Sequence, residues 1–273
     1  MTLSPRQVRE LLEEHGLAPS RALGQNFVAD PNTVRRIAAL AGVGAGDRVV
    51  EIGAGLGSLT LALAETGAAV TAVEVDRGLV PVLRTVVEPV GVRVVEGDAM
   101  KLDWSPVLGD EEGWVLVANL PYNIATPLVL DLLERVPAVG RMLVMVQREV
   151  GERLAAGVGD DAYGIPSVKV AYWATARVVG RVPATVFVPQ PRVESVLVEL
   201  VRHPSPPVPG DQATVFRLVD AGFGQRRKML RRSLAGLLSV EDLEAADVAP
   251  QARAEELDLA AWSRLAERMR SVR

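Results

Sequence analysis

Short apolar runs alternate with helical patterns through the first two thirds of the chain. The runs are four to seven residues long, rich in valine and bounded by glycine or polar residues. Such runs are typical of strands buried on both faces of a parallel sheet. The pattern predicts strands at 48–52, 69–73, 92–95, 114–118 and 141–147, and helices at 5–16, 31–40, 126–133 and 147–157 and from Ser58 onward.

The pattern changes in the later part of the chain. Segment 165–173 is ambiguous between helix and strand, and we interpret it as a helix by its length and by the sheet order. Segments 177–182 and 195–201 predict an antiparallel hairpin that closes the sheet. Four prolines among residues 203–210 indicate a linker. Beyond it, short helices are predicted at 214–223, 226–237, 240–246 and 259–270.

These elements predict an α/β fold with a small all-α domain attached. Residues 1–202 form the sheet domain with its helical lead-in, residues 203–210 the linker, and residues 211–273 the helical domain. A chain of 273 residues suits two such parts, since domains commonly contain roughly 100–200 residues.

Glycines, a carboxylate and an amide follow successive predicted strands. The first strand leads into Gly53-Ala54-Gly55-Leu56-Gly57, and Glu74 lies 21 residues after Gly53. This is the distance at which an acidic side chain meets ribose hydroxyls in nucleotide-binding units. Asp98 and Asn119 follow the next two strands. Because Ser58 stands where a dinucleotide motif has its third glycine, a mononucleoside-sized cofactor fits better than NAD.

The tetrapeptide Asn119-Leu120-Pro121-Tyr122 suits methylation of an exocyclic amine on a flat base. The Asn119 carboxamide oxygen and the Leu120 backbone carbonyl can accept the two amine hydrogens. Tyr122 offers a ring for stacking, and Phe187 is a possible second aromatic wall. The simpler interpretations are a strand-end turn with a packed aromatic for the tetrapeptide, and a core position for Phe187. Loop 21–27 either binds a ligand through its amides or is a polar connector.

Composition narrows the possible functions. The net charge of −4 argues against a uniformly basic nucleic-acid binder, and the absence of cysteine excludes disulfides and thiolate nucleophiles. The two histidines lack metal-ligand or triad spacing, so no metal is expected. No apolar run approaches the ~20 residues of a membrane span, which predicts a cytoplasmic protein. The one dense cationic cluster is a candidate phosphate-binding site, with a solvated face as the alternative: Arg226, Arg227, Lys228, Arg231 and Arg232.

Several motifs together resemble the KsgA/RsmA family of ribosomal RNA adenine dimethyltransferases, which are related to the Erm resistance methylases. They recur in the family's order through nearly the whole chain. Ala54 and Leu23 depart from the common proline and phenylalanine, and neither supplies a functional side chain. The motifs are Leu23-Gly24-Gln25-Asn26-Phe27, Glu51-Ile52-Gly53-Ala54-Gly55-Leu56-Gly57, Glu74-Val75-Asp76, Gly97-Asp98-Ala99, Asn119-Leu120-Pro121-Tyr122-Asn123-Ile124, Phe187-Val188-Pro189-Gln190-Pro191-Arg192-Val193 and Gln225-Arg226-Arg227-Lys228.

The resemblance implies a Rossmann-like class I methyltransferase that uses S-adenosylmethionine. It implies that the substrate is a pair of adjacent adenines in the 3′-terminal hairpin loop of 16S rRNA, each methylated twice at N6 within a pre-30S particle, with a monomer as the default expectation. It places Glu74 on the ribose, Asp98 on the cofactor adenine and Asn119 near the transferring methyl. The remaining implied cofactor residues are Asn26, Val28, Gly53 and Gly55.

Two other functions stay open on sequence grounds. A methyltransferase acting on DNA adenine or on protein glutamine can use a similar Asn-Pro turn. A non-catalytic assembly factor would hold the cofactor only as a structural ligand, although the intact Glu74, Asp98, Asn119 and Tyr122 argue against it. Radiolabelled cofactor offered with immature small subunits, naked rRNA or DNA would separate these functions.

Overall fold

A computed structural model describes residues 2–20 and 22–271, so Arg21, the first residue of the predicted loop, lies outside the described residues. The chain divides into two compact units, Met1–Gly151 with Arg177–Val201, and Glu152–Ala176 with Arg202–Arg273. The first unit ends beside the proline-rich segment. Residues 152–176 belong to the second unit rather than to the first, and the predicted division at residues 202 and 211 stays a prediction.

The first unit is built on a seven-stranded sheet. The predicted strands are all present, and β7 begins three residues earlier than expected. The strands are β1 Phe27–Val28, β2 Arg48–Ile52, β3 Ala69–Glu74, β4 Arg93–Glu96, β5 Trp114–Asn119, β6 Val139–Gln147, β7 Ala174–Val182, β8 Phe187–Val188 and β9 Ser195–Arg202. The large sheet has the order β4-β3-β2-β5-β6-β9-β7, while β1 and β8 form a separate two-stranded sheet.

Strand direction confirms the predicted mixed sheet. Strands β2 to β6 are parallel to their neighbours, and β9 runs antiparallel to β6, with Gln147 paired to Ser195. Strand β9 lies between β6 and β7, and β7 forms the edge of the sheet. The central strands are almost entirely buried, as strands covered on both faces must be.

The first two helices begin at residues whose side chains satisfy free amide groups of the first turn. The Ser4 side chain and Gln7 form a capping box at α1, and Asp30 accepts from the backbone of Thr33 at α2. The helices are α1 Pro5–Glu14, α2 Pro31–Ala41, α3 Ser58–Ala64, α4 Leu79–Val87, α5 Ser105–Leu108, α6 Ala125–Arg135, α7 Arg148–Ala155, α8 Ile165–Trp173, α9 Gln212–Gly224, α10 Leu230–Ser233, α11 Val240–Ala245 and α12 Leu259–Ser271.

The second unit packs around Trp262, which is fully buried. A Cβ atom at Gly222 of α9 would lie 2.5 Å from the Trp262 ring, so only glycine lets α9 and α12 approach this closely. Segment 165–173 is the helix α8, as predicted. Among the described residues, no helix of either unit is long and apolar enough to cross a membrane.

The prediction of a continuous helix over residues 226–237 is wrong. Residues 225–228 form turns, and helix α10 covers only Leu230–Ser233. The Leu230 and Arg231 amides donate to the carbonyls of Ala252 and Pro250, at 2.7 and 3.1 Å. These tertiary hydrogen bonds replace those of a helix and override the local helical pattern.

Candidate active site

The sheet register brings the predicted glycine turn, carboxylate and amide into one row. Ile52 of β2 pairs with Val73 of β3 on one side and with Ala118 of β5 on the other. The next residues along these three strands are Gly53, Glu74 and Asn119. They therefore stand side by side at the carboxyl edge of the sheet, where open α/β sheets bind ligands.

The turn after β2 needs glycine for two separate reasons. Gly53, Gly55 and Gly57 all have positive φ values, between 60° and 89°, a backbone conformation that other residues seldom adopt. A Cβ atom at Gly55 would also lie 2.9 Å from the Phe27 ring. The turn therefore presents bare backbone at the edge of the sheet.

The Glu74 carboxylate stabilises this turn through hydrogen bonds. One carboxylate oxygen accepts the Gly55 amide at 2.7 Å, and the other accepts the Val75 and Asp76 amides at 3.0 and 2.9 Å. The side chain is only 4% exposed, and burial raises the pKa of the carboxyl while these hydrogen bonds oppose the shift. Glu74 thus has a positioning role in addition to its predicted contact with ribose.

The loop that precedes β1 is attached to the same row of residues. The Asn119 side-chain amide donates to the Asn26 carbonyl oxygen at 2.9 Å, and Asn26 donates to the Gly24 carbonyl at 3.1 Å. Gln25 accepts the Ser20 amide and donates to Asp76, both at 2.7 Å. These bonds place Gln25 and Asn26 at the sheet edge, where both residues line the cleft described next, and the ligand-binding role of the loop stays a prediction.

These elements enclose a cleft with about 530 Å³ of empty space. Leu120 follows Asn119, and its backbone amide donates a hydrogen bond to the Met145 carbonyl oxygen of β6 at 3.0 Å. The cleft brings together seven of the predicted site residues. They are Asn26, Gly53, Gly55, Glu74, Asn119, Leu120 and Tyr122.

Two predicted cofactor residues lie outside this cleft. Val28 is buried and lines a smaller adjoining cavity together with Gly53 and Asn119. The Asp98 side chain is 39% exposed, accepts the Met100 amide at 3.0 Å and lies 3.6 Å from the Lys101 ammonium group. Their contacts with a cofactor stay predictions.

The two predicted aromatic walls have different environments. Tyr122 is half-buried in the cleft, and its hydroxyl lies 3.2 Å from the Ser195 hydroxyl. Phe187 is 3% exposed and belongs to the hydrophobic core, where β8 pairs with β1. A stacking role for Phe187 therefore stays a prediction and requires its ring to leave the core.

Substituting Tyr122 and Phe187 in turn distinguishes a residue that stacks on the substrate from one that packs in the core. We expect Tyr122→Ala to lower kcat/KM about tenfold to a hundredfold, because a stacked base contributes about 1–3 kcal/mol. Phe187→Leu should lower the free energy of unfolding by about 1 kcal/mol and leave kcat/KM within about threefold. Steady-state kinetics and urea denaturation measure both effects. A loss of kcat/KM in Phe187→Leu equal to that in Tyr122→Ala would show that the ring reaches the substrate.

Glu51 is a site residue that the sequence reasoning did not single out. It lies one residue before the end of β2, is 2% exposed, and lines the smaller cavity beside Gly53, Ser58 and Asn119. Its Oε2 atom has no hydrogen-bond partner among the described residues. Burial raises the pKa of the carboxyl to about 8, and the neighbouring Glu74 carboxylate adds to the shift. The available signal was a carboxylate in an otherwise apolar strand.

The predicted basic cluster lies in the second unit and is exposed throughout. Arg226 is paired with Glu255 at 2.8 Å and also donates to the Asp161 carbonyl. The other four cations have no ion-pair partner within residues 2–20 and 22–271: Arg227, Lys228, Arg231 and Arg232. The same described ranges contain no cluster of three His, Asp or Glu residues able to hold a metal ion.

The strand order, the glycine turn and the carboxylate after the second parallel strand define a Rossmann-like class I methyltransferase. A sequence pattern described as ribosomal RNA adenine dimethylase matches residues 18–271. The chain belongs to this family.

Relatives and solved structures agree with this assignment. The chain is 49% identical to ribosomal RNA small subunit methyltransferase A of Leifsonia xyli subsp. xyli, over 97% of this chain and 98% of that protein. It is 48% identical to the protein of the same name from Thermobifida fusca, over 97% and 95%. The 23S rRNA methyltransferase ErmE superposes with a TM-score of 0.70 at 26% identity, covering 90% of this chain and all of ErmE. A dimethyladenosine transferase from Plasmodium falciparum shares the fold, with a TM-score of 0.77 at 24% identity over 90% and 98%.

Proposed function

We propose that this enzyme transfers methyl groups from S-adenosylmethionine to N6 of two adjacent adenines in the 3′-terminal hairpin loop of 16S rRNA. The products are N6,N6-dimethyladenosines in a pre-30S particle, and the enzyme acts as a cytoplasmic monomer. The observation that supports this most is the single row of Gly53, Glu74 and Asn119 beside the half-buried ring of Tyr122. A donor site and a base-stacking site thus share one cleft.

The residues of the cleft fit the chemistry of this cofactor. Gly53 and Gly55 line the cleft with backbone alone, and Glu74 is a hydrogen-bond acceptor suited to ribose hydroxyls. The Glu51 carboxyl, whose Oε2 atom has no hydrogen-bond partner among the described residues, suits a cationic amino group. In this proposal Asn26, Val28 and Asp98 complete the cofactor site. The cofactor supplies an activated methyl group when bound.

The protein then contributes mainly position and exclusion of water. The Asn119 carboxamide nitrogen is already committed to the Asn26 carbonyl, so its oxygen is oriented as the acceptor for the adenine amine. The Leu120 carbonyl accepts the second amine hydrogen, which draws the nitrogen toward tetrahedral geometry. The amine held by Asn119 and Leu120 would receive the methyl group that the bound cofactor supplies, and the methylated nitrogen would afterwards release one proton. Tyr122 stacks on the extruded base.

Transfer of a radiolabelled methyl group tests this proposal directly. We expect label in 16S rRNA when the enzyme is given immature small subunits, and nuclease digestion should release it as N6,N6-dimethyladenosine. Label in DNA or in protein glutamine instead would favour the alternative methyltransferases. Cofactor binding without transfer to any of these substrates would favour the assembly-factor function.

The basic cluster gives a prediction about RNA binding. Replacing Arg227 and Lys228 by glutamine should weaken binding of the rRNA hairpin, because each lost phosphate contact lowers the slope of log Kd against log salt by about 0.7–0.9. Arg226→Gln is the matched control, since its guanidinium is already paired with Glu255. Fluorescence anisotropy from 50 to 300 mM salt measures the slope. An unchanged slope in the double variant would identify the cluster as a solvated face.

A further inference from the structure

One open cavity adjoins the cleft on the side of Tyr122, and another open cavity adjoins the first. The second cavity shares four lining residues with the cleft, Tyr122 among them, and extends to segment 189–192. A third cavity shares Pro189 and Gln190 with the second and extends to Arg9 of α1. Their empty volumes are about 1400 and 940 Å³. Space for a chain therefore leads from the base-stacking ring toward α1.

The charges along these cavities favour an anion. Arg192 is the one charged side chain among the described residues that line the second cavity. The third cavity carries Arg9 and Asp30, and one oxygen of the Asp30 carboxylate accepts the Thr33 amide and hydroxyl at 2.8 and 2.5 Å. Arg9 and Arg192 are exposed and form no ion pair with any residue that the structure describes. Two unpaired guanidinium groups thus remain available to a ligand.

Segment 189–192 is held in a defined place relative to Tyr122. Pro189 and Pro191 restrict its backbone, and the Arg148 amide donates to the Glu194 carbonyl at 3.1 Å. The Glu194 carboxylate also lies 3.9 Å from the Arg148 guanidinium. Ser195, at the start of β9, contacts the Tyr122 hydroxyl. The residues that follow Arg192 in the chain are thus held beside Tyr122.

We infer that the second and third cavities hold the single-stranded RNA next to the extruded adenine, with Arg192 and Arg9 on its phosphates. This inference rests on the proposed function. A base stacked on Tyr122 leaves its phosphate outside the cleft, and the second cavity begins at that ring. Asn123 and Gln190 line the same space, and their side-chain amides can hydrogen-bond sugars or base edges. Phosphate contacts of this kind fix the register of the strand.

Binding and turnover of an rRNA hairpin with single-stranded flanks test the inference. We expect Arg9→Gln and Arg192→Gln each to lower the slope of log Kd against log salt by about 0.7, the value for one phosphate contact with a single strand. The double variant should raise KM about tenfold and leave kcat within twofold, because the arginines lie outside the methyl-transfer site. Arg9→Lys and Arg192→Lys should restore the slope. Arg6→Gln is the control, since Arg6 lies on the same helix and is paired with Glu10.

The outcomes separate this inference from the proposed function. If the wild-type enzyme methylates no RNA, the proposed function fails. If the wild type methylates RNA while both glutamine variants keep the wild-type slope and KM, the inference alone is wrong. A defect that appears with intact subunits and not with the flanked hairpin would indicate that Arg9 and Arg192 contact a ribosomal protein. This result would also overturn the inference. Cofactor binding measured by calorimetry should be unchanged in every variant.

Discussion

Asn119→Ala should lower kcat about a thousandfold while changing the Kd of the cofactor by no more than about tenfold. The carboxamide oxygen contacts the amine only as the nitrogen becomes tetrahedral, so its loss raises the transition state more than the ground state. The smaller change in cofactor affinity reflects the lost hydrogen bond to the Asn26 carbonyl, which ties the ligand loop to the sheet.

Single-turnover methylation and calorimetric titration of the cofactor measure the two quantities separately. Asn32→Ala is the control, because Asn32 is exposed on α2 and lines none of the cavities described above. Normal turnover in Asn119→Ala would remove Asn119 from the proposed mechanism. A loss of cofactor affinity as large as the loss of kcat would indicate that Asn119 only positions the loop around Asn26.

The sheet and most of the cleft could be predicted because their signals are local. Buried parallel strands appear in the sequence as short valine-rich runs, and the residues that follow them meet at one edge whatever the detailed packing. The adjacency of Gly53, Glu74 and Asn119 follows from this rule alone. The Glu74 carboxylate at its fixed distance from Gly53 also required no knowledge of the structure.

The remaining features depend on contacts between distant segments. Phe187 lies in a two-residue strand whose partner is 160 residues away at Phe27–Val28, and no periodic pattern can arise in so short a strand. The turns at 225–228 have an apparent helical sequence, but just beyond them the Leu230 and Arg231 amides donate to the carbonyls of Ala252 and Pro250, which are distant in the sequence. Glu51 was visible as a charge in an apolar strand, but only its environment shows that the carboxyl has an unpartnered oxygen beside the cleft.

Glu51→Gln should stabilise the unliganded enzyme by about 3 kcal/mol at pH 7. Burial keeps the Glu51 carboxyl protonated up to a pKa of about 8, whereas the unfolded chain loses this proton near its ordinary value of 4.5. The wild-type free energy of unfolding therefore loses about 1.4 kcal/mol per pH unit as the pH rises from 4.5 to 8. Glutamine is uncharged in both states and removes this loss, so the difference between the proteins grows with pH.

Urea denaturation at pH 5, 6, 7 and 8 measures this difference, which should be small at pH 5 and largest at pH 8. Glu13→Gln is the matched control because Glu13 is exposed on α1, and its stability should follow the wild type at every pH. The same substitution at Glu51 should weaken cofactor binding, since a neutral amide attracts an ammonium group less than a carboxylate does. If the free energies of unfolding of the wild type and Glu51→Gln change in parallel with pH, the Glu51 carboxyl is ionised even without the cofactor. Cofactor binding would then not depend on a change in the protonation of Glu51.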